Sequence, residues 1–146
     1  MNLAKVKWDL AKRWPLKANS LEEATAIYVI HYLTGLERIH FANELFRVLK
    51  VGGRCEIHTP HWCSSKAFAD PLAPYPPVSE WWYPMLNKTW REQQERKVMG
   101  YKCNFDAGIG YGMHPAIVTR NQEYQQNAMM FYKEAAQDLI VTLTKL

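Results

Sequence analysis

Hydrophobic and polar positions change period several times along the chain, and each change predicts an element. Ala24 to Leu33, ATAIYVIHYL, is continuously apolar rather than alternating, the pattern of a parallel strand covered on both faces. From Leu36 to Lys50 the apolar residues Leu36, Ile39, Ala42, Leu45, Phe46 and Leu49 recur at three- and four-residue steps, which predicts an amphipathic helix. Arg47 and Lys50 fall in its last turn, where positive charge suits the helix dipole, and Gly52 and Gly53 offer a left-handed stop. A second strand, RCEIHTP, follows at Arg54 to Pro60. Strand, helix and strand at this spacing form one crossover unit of a parallel sheet.

The flanks follow other patterns. VKWDL, Val6 to Leu10, is a short strand candidate ahead of a polar, turn-like stretch broken by Pro15 and Asn19-Ser20. Residues 61 to 80 are aromatic and apolar, and five prolines stand between Pro71 and Pro84. That composition predicts a long ordered loop or lid rather than a disordered linker. A helix is expected after Pro84, and Val98 to Gly112 reads as a strand running into a glycine turn. Asn121 to Gln137 has the pattern of a helix. The final DLIVTLTKL alternates as an edge or antiparallel strand does. The expectation is one α/β domain over 1–146, with a Pro- and aromatic-rich insertion at about 61–97.

Composition narrows this little. At 146 residues the chain can build one core but not two. No apolar run reaches the roughly 18 residues of a membrane helix, and MNLAKVKWDLAKRW lacks the apolar core of a signal peptide. No membrane partner is therefore expected. Cys55, Cys63 and Cys103 are odd in number and form no C-x-x-C pair, which favours a reducing, cytoplasmic setting. The net charge is +4. Lys5, Lys7, Lys12, Arg13 and Lys17, and then Arg91, Arg96, Lys97 and Lys102, read as solvated faces rather than a dense nucleic-acid footprint. A nucleic-acid partner is permitted without being demanded.

Taken in order, these stretches resemble the class I S-adenosylmethionine-dependent methyltransferases, and within them the type-11 group and its phage relatives. WDLAKRWPLKANSLEEATAIYVIHYL is similar to the family's passage into its fourth strand. ELFRVLKVGG is similar to the segment before its fifth strand, with Val51 in the usual proline place, and HTPHW to that strand's end. DPLAPYPPVSEWW and NKTWRE resemble a substrate-side insertion of one subgroup, and GYGMHP with the helix and strand after it resembles that subgroup's end. The resemblance implies a truncated Rossmann-like methyltransferase sheet, mostly parallel with an antiparallel C-terminal strand. It begins at the family's third strand and leaves out the glycine-rich cofactor loop and the acidic ribose-binding residue. DAGIGYG, Asp106 to Gly112, matches such a loop on paper, but His114-Pro115 interrupts the helix that should follow. It reads instead as a glycine-rich turn.

Ligands of parallel sheets bind beyond the carboxyl ends of the strands. The resemblance implies S-adenosylmethionine as cofactor, held by Asp9, Leu10, Tyr28, Val29 and His31, with Asp9 accepting from the adenine amino group. From the residues alone, Asp9 serves equally well as a cap of the next turn. His61 and Trp62, with Asp70, Tyr75 and Trp81 from the loop, are candidates to line a substrate pocket. His58, His61 and Cys63 lack metal spacing, and no metal is expected. The chain is thus expected to be a minimal methyltransferase of unknown acceptor, small-molecule or other, assembled as a homodimer that covers the exposed sheet edge. A non-catalytic remnant or partner subunit is the rival reading.

Overall fold

The computed structural model describes residues 8–74, 76–94 and 100–146. Four strands form one mixed sheet in the order β1-β2-β4-β3. They are β1 (Leu21–Ile27), β2 (Leu49–Pro60), β3 (Phe105–Met113) and β4 (Ala136–Lys145). β1 and β2 are parallel and are joined by helix α1 (Gly35–Val48); β4 runs antiparallel to both β2 and β3. Three shorter helices, α2 (Lys88–Gln93), α3 (Pro115–Val118) and α4 (Gln122–Phe131), complete the set. No helix of the described residues is long and apolar enough to cross a membrane.

The predicted strand–helix–strand unit is present, with its boundaries shifted. The apolar run from Ala24 to Leu33 is not one strand. β1 starts earlier, at Leu21, and stops at Ile27 because Tyr28 takes a positive φ of 53°. Ile30 to Tyr32 then form a single 3-10 turn that drives Ile30 into the core. β1 is an edge strand, so Ile27 is 54% exposed despite its position in the run. Trp8 to Leu10 lie in a turn rather than a strand, and Val6 and Lys7 fall outside the described residues.

Helix α1 begins at a capping box. The Thr34 hydroxyl accepts from the Glu37 amide, and the Glu37 carboxylate accepts from the Thr34 amide at 2.8 Å. Such caps contribute about 1 kcal/mol. The buried stripe is Arg38, Phe41, Ala42, Leu45 and Val48, rotated from the predicted one, so Leu36 is 81% exposed. The glycines do not stop the helix: it ends at Val48, and Leu49 is already extended. Gly52 and Gly53 sit inside β2, where the register passes from Leu21↔Leu49 to Glu23↔Arg54. β2 therefore bulges while β1 advances two residues. Gly52 supplies a φ of 76° there, and a Cβ on Gly53 would lie 2.8 Å from the Lys50 carbonyl oxygen.

One face of the sheet carries the core. Cys55, Ile57 and Thr59 of β2 alternate inward with Leu139, Val141 and Leu143 of β4, and α1 packs with them through Phe41, Leu45 and Val48. Each large aliphatic side chain buried there contributes about 1.5–3 kcal/mol. The other face presents Arg54, Glu56, His58, Thr142 and Thr144 at intermediate or full exposure. Hence the C-terminal strand alternates although it lies in the middle of the sheet and not at its edge. The glycine segment is no turn. Asp106 to Gly112 belong to β3 and pair with β4 residue by residue up to Gly112↔Asp138. It is neither a cofactor loop nor a turn, because the backbone stays extended through all three glycines.

The proline-rich insertion is also more than a lid. Val78, Tyr83 and Leu86 are buried in the same core, with Cys103 beyond. Arg91 fastens α2 by donating to the carbonyls of Met85 (2.7 Å) and Cys103 (2.8 Å). Residues 95–97 at its expected end, and Val98 and Met99 of the expected strand, lie outside the described residues.

The last carbonyls of α1 have no partners within the helix, and distant residues supply them. The Asn19 and Ser20 amides donate to Arg47 (2.9 Å) and Val48 (2.8 Å). The buried Lys145 ammonium donates to Phe46 (2.6 Å), Leu49 (2.8 Å) and the Asn19 side chain (2.8 Å), above the Phe46 ring. Replacing Lys145 with Met preserves bulk but deprives two carbonyls of this donor. Lys145→Met is expected to lower the unfolding free energy by about 2–4 kcal/mol, read as a shift of the urea midpoint at constant slope. An unchanged midpoint would refute this role.

Candidate ligand site on the strand-end rim

The carboxyl ends of β1 and β2 meet the start of β4 along one rim. Tyr28 opens it. Its amide donates to the His58 carbonyl (2.8 Å), tying the left-handed residue to β2, and its hydroxyl donates to Asp138 of β4 (3.0 Å). A left-handed tyrosine costs on the order of 1–3 kcal/mol, and the half-exposed ring is the result. Val29 turns the chain, and His31 follows with its ring 6.2 Å from Tyr28 and 4.1 Å from Tyr32. His31 Nδ1 is buried and has no partner among the described residues. Burial, and then the Arg38 charge, hold its pKa below the usual histidine value against the opposing pull of Asp70. The imidazole is therefore neutral at physiological pH.

Asp70 joins this group from the loop. Its carboxylate accepts from the Tyr32 hydroxyl (2.8 Å) and the Leu72 amide (2.9 Å). Arg38 donates to the Ile30 carbonyl and to the Pro76 carbonyl, both at 3.2 Å, so one buried guanidinium holds the rim turn and the loop together.

His61 and Trp62 form a neighbouring group. His61 Nε2 lies 2.6 Å from Glu80 Oε1, and Trp62 Nε1 donates to Glu80 Oε2 at 2.9 Å. Burial alone would raise the Glu80 carboxyl, but the bonds from His61 and Trp62 outweigh it and bring the pKa down to about 2. On the other side of the rim Glu134, at a φ of 66°, accepts from the Ser65 hydroxyl and amide, from Gln137 and from Ser64. The Ser65 bonds foremost hold its pKa at about 2.

The expected site residues thus divide. Tyr28, Val29, His31 and Asp70 come together, and His61 and Trp62 share Glu80. Asp9 is a turn cap: its Oδ1 accepts the Ala11 amide at 2.9 Å, with Lys12 at 3.6 Å from Oδ2. It still lies near enough to Glu37 for their charges to interact. Leu10 packs on the core edge and its carbonyl accepts from Trp14 Nε1. Trp81 is exposed and lines a separate cavity of about 350 Å³ with Met85, Trp90 and Gln94. Tyr75 lies outside the described residues. Glu80 and Asp138 were not anticipated. No local pattern marks them, since their partners stand 18, 19 and 110 residues away. Among the described residues, no group of three His, Cys, Asp or Glu side chains could hold a metal ion.

No family model and no curated protein sequence matches the chain. Solved structures do. A SAM-dependent methyltransferase from Archaeoglobus fulgidus aligns with a TM-score of 0.64 at 14% identity, over 96% of this chain and 66% of that one. The methyltransferase domain of bacterial CtHen1-CN gives 0.52 at 12% identity, over 94% and 58%. An S-adenosylmethionine-dependent methyltransferase from Mesorhizobium loti gives 0.50 at 14%, over 94% and 67%. At these identities the likeness is one of fold: the mixed sheet is the Rossmann-like arrangement of class I methyltransferases. The chain spans between 58% and 67% of the length of these three.

Glu80 and Glu134, the carboxyls held at about 2, set an acid limit. Both fall from 4.5 to about 2 on folding, so between these values the unfolded chain binds more protons than the folded one. Their contribution is complete above pH 4.5 and is lost as pH falls toward about 2. The melting temperature is expected to drop across that window, and Glu80→Gln or Glu134→Gln to flatten the drop. Acid limbs in both variants as steep as in the parent, followed by circular dichroism, would contradict this.

Proposed function

We propose that the chain is a methyltransferase-like domain that binds S-adenosylmethionine on the Tyr28 rim. The observation that carries the reading is the left-handed Tyr28 at the end of β1. A bulky residue in that conformation marks a backbone bent for a purpose other than stability. Here the bend exposes an aromatic face beside the unpartnered His31 Nδ1, at the sheet end where α/β folds take ligands.

The residues fit such a ligand. Tyr28 and Val29 offer an apolar wall, His31 Nδ1 a polar atom without a partner among the described residues, and Asp9 a half-exposed carboxylate whose Oδ2 lies 3.6 Å from Lys12. The Leu10 amide would complete the polar edge. When bound, the sulfonium supplies a methyl group with its own leaving group, so the chain has chiefly to align and to exclude water. His61, Trp62 and Asp70 would border the acceptor.

A second reading, binding without transfer, has its own support. Both nitrogens of His61 are already engaged, by Glu80 and by Cys63. His61 could then act as a general base toward an acceptor only if one of those bonds opens.

Calorimetric titration with S-adenosylmethionine and S-adenosylhomocysteine tests the proposal. Low-micromolar binding is expected, weakened about tenfold or more, or about 1.4 kcal/mol, by Asp9→Ala. No heat at millimolar ligand would end both readings. Binding without conversion of S-adenosylmethionine to S-adenosylhomocysteine in the presence of a metabolite extract would select the second.

A further inference from the structure

Beyond the carboxyl end of β2, His61 stands between a thiol and a carboxylate. Its Nδ1 lies 2.9 Å from Cys63 Sγ, and its Nε2 lies 2.6 Å from Glu80 Oε1. The Cys63 amide also donates to Nδ1, at 3.2 Å. That bond assigns the lone pair to Nδ1 and the proton to Nε2, where the Glu80 carboxylate accepts it. Nδ1 is therefore the atom able to take the thiol proton. The ring is held: His61 is 3% exposed, between the rings of Trp62 (5.4 Å) and Tyr111 (5.6 Å).

The three cysteines differ in a telling way. Cys55 and Cys103 are buried, and burial pushes both thiols up, Cys55 to about 12. Their sulfurs face backbone carbonyls, Cys55 that of Glu56 (3.9 Å) and Cys103 that of Leu86 (3.6 Å). Cys63 is partly exposed, and its sulfur has an imidazole within reach and a more distant acceptor in the Ala136 carbonyl (3.5 Å). Thiol, base and a carboxylate on the base's far nitrogen form the arrangement that activates sulfur nucleophiles.

We propose that Cys63 is a nucleophilic thiol that accepts an alkyl group from a soft carbon electrophile, with His61 as its proton acceptor and Glu80 as the positioning carboxylate. The S–H bond breaks and its proton passes to Nδ1, leaving an imidazolium balanced by Glu80. The thiolate pair forms the S–C bond, and the bond from carbon to the leaving group breaks, the leaving group keeping the pair. No oxidant or reductant enters. The proposal stands whether or not the chain binds S-adenosylmethionine. The other carboxylates described at this end are engaged elsewhere: Asp70 with Tyr32 and Leu72, Glu134 with Ser64, Ser65 and Gln137, and Asp138 with Tyr28 and Lys66. The Tyr111 hydroxyl faces Glu80, and burial, then Glu80, push its pKa up to about 12, so it stays neutral.

The test is the rate of alkylation by iodoacetamide under native conditions, with each cysteine located by peptide mass. At about neutral pH, where a free thiol is only a few per cent thiolate, Cys63 is expected to react about tenfold or more faster than free cysteine. Cys55 and Cys103 should stay unlabelled. Glu80→Gln, close in shape but uncharged, should remove most of the advantage, Glu80→Asp should restore part of it, and His61→Asn should abolish it. The rate should also change less between acidic and mildly alkaline buffer than that of free cysteine, and Glu80→Gln should restore the steeper dependence. Labelling of Cys55 or Cys103 reports unfolding, in which case Glu80→Gln decides in place of His61→Asn. A Cys63 rate no higher than that of free cysteine, or one indifferent to both substitutions, would overturn the proposal.

Discussion

The carbonyl end of α1 is the constraint on which the rest of the sheet depends. A helix end buried without donors is costly, because each orphan carbonyl forfeits its bond to water. Here the donors come from two directions. Asn19 and Ser20 cap Arg47 and Val48 immediately before β1 begins, and Lys145 caps Phe46 and Leu49 at the end of β4. Arg47 adds bonds to the carbonyls of Trp14 and Leu16, while paired with Glu44. One helix terminus thus fixes where β1 starts, where β2 leaves and where β4 finishes.

What happens at the opposite end follows from that anchoring. With the strands pinned at one end, their carboxyl ends open side by side, and the antiparallel β4 brings Asp138 beside Tyr28. The insertion, rooted in the core through Tyr83 and Leu86, delivers Asp70 and Glu80 to the same rim. A chain of net charge +4 therefore gathers Asp70, Glu80, Glu134 and Asp138 at one end. Each carboxylate is held by hydroxyls, amides, a histidine or a lysine. Among the described residues the half-exposed Tyr28 ring stands at this rim, with the unpartnered His31 Nδ1 buried behind it.

Much of the architecture was legible because its signals are local. The three- and four-residue spacing of α1 and the alternation of β4 survive in the structure, and the ordered likeness to methyltransferase elements agrees with the fold. The failures share a cause: local pattern does not report which partner a backbone meets. The apolar run at Ala24 to Leu33 looked like one covered strand, yet Ile27 faces outward at an edge and Ile30 enters the core through a turn. Gly52 and Gly53 looked like a helix stop but serve a bulge, and the three glycines of β3 looked like a loop but lie in a ladder. Tyr28, Val29 and His31 could be placed beyond a strand end from sequence, whereas the parts played by Glu80 and Asp138 depend on partners 18 to 110 residues away. His61 and Cys63 were visible as neighbours. Their arrangement around one imidazole became a reactive geometry only once Glu80 was placed.

The account turns on the rim at the end of β1 being a ligand site. Its most direct test is a nuclear magnetic resonance titration of the labelled chain with S-adenosylhomocysteine, following backbone amides. The account predicts saturable shifts concentrated at Tyr28 to Tyr32 and at Asp138, with the α1 terminus and Lys145 unmoved. Shifts confined to Trp81, Trp90 and their cavity, or none at all, would contradict it.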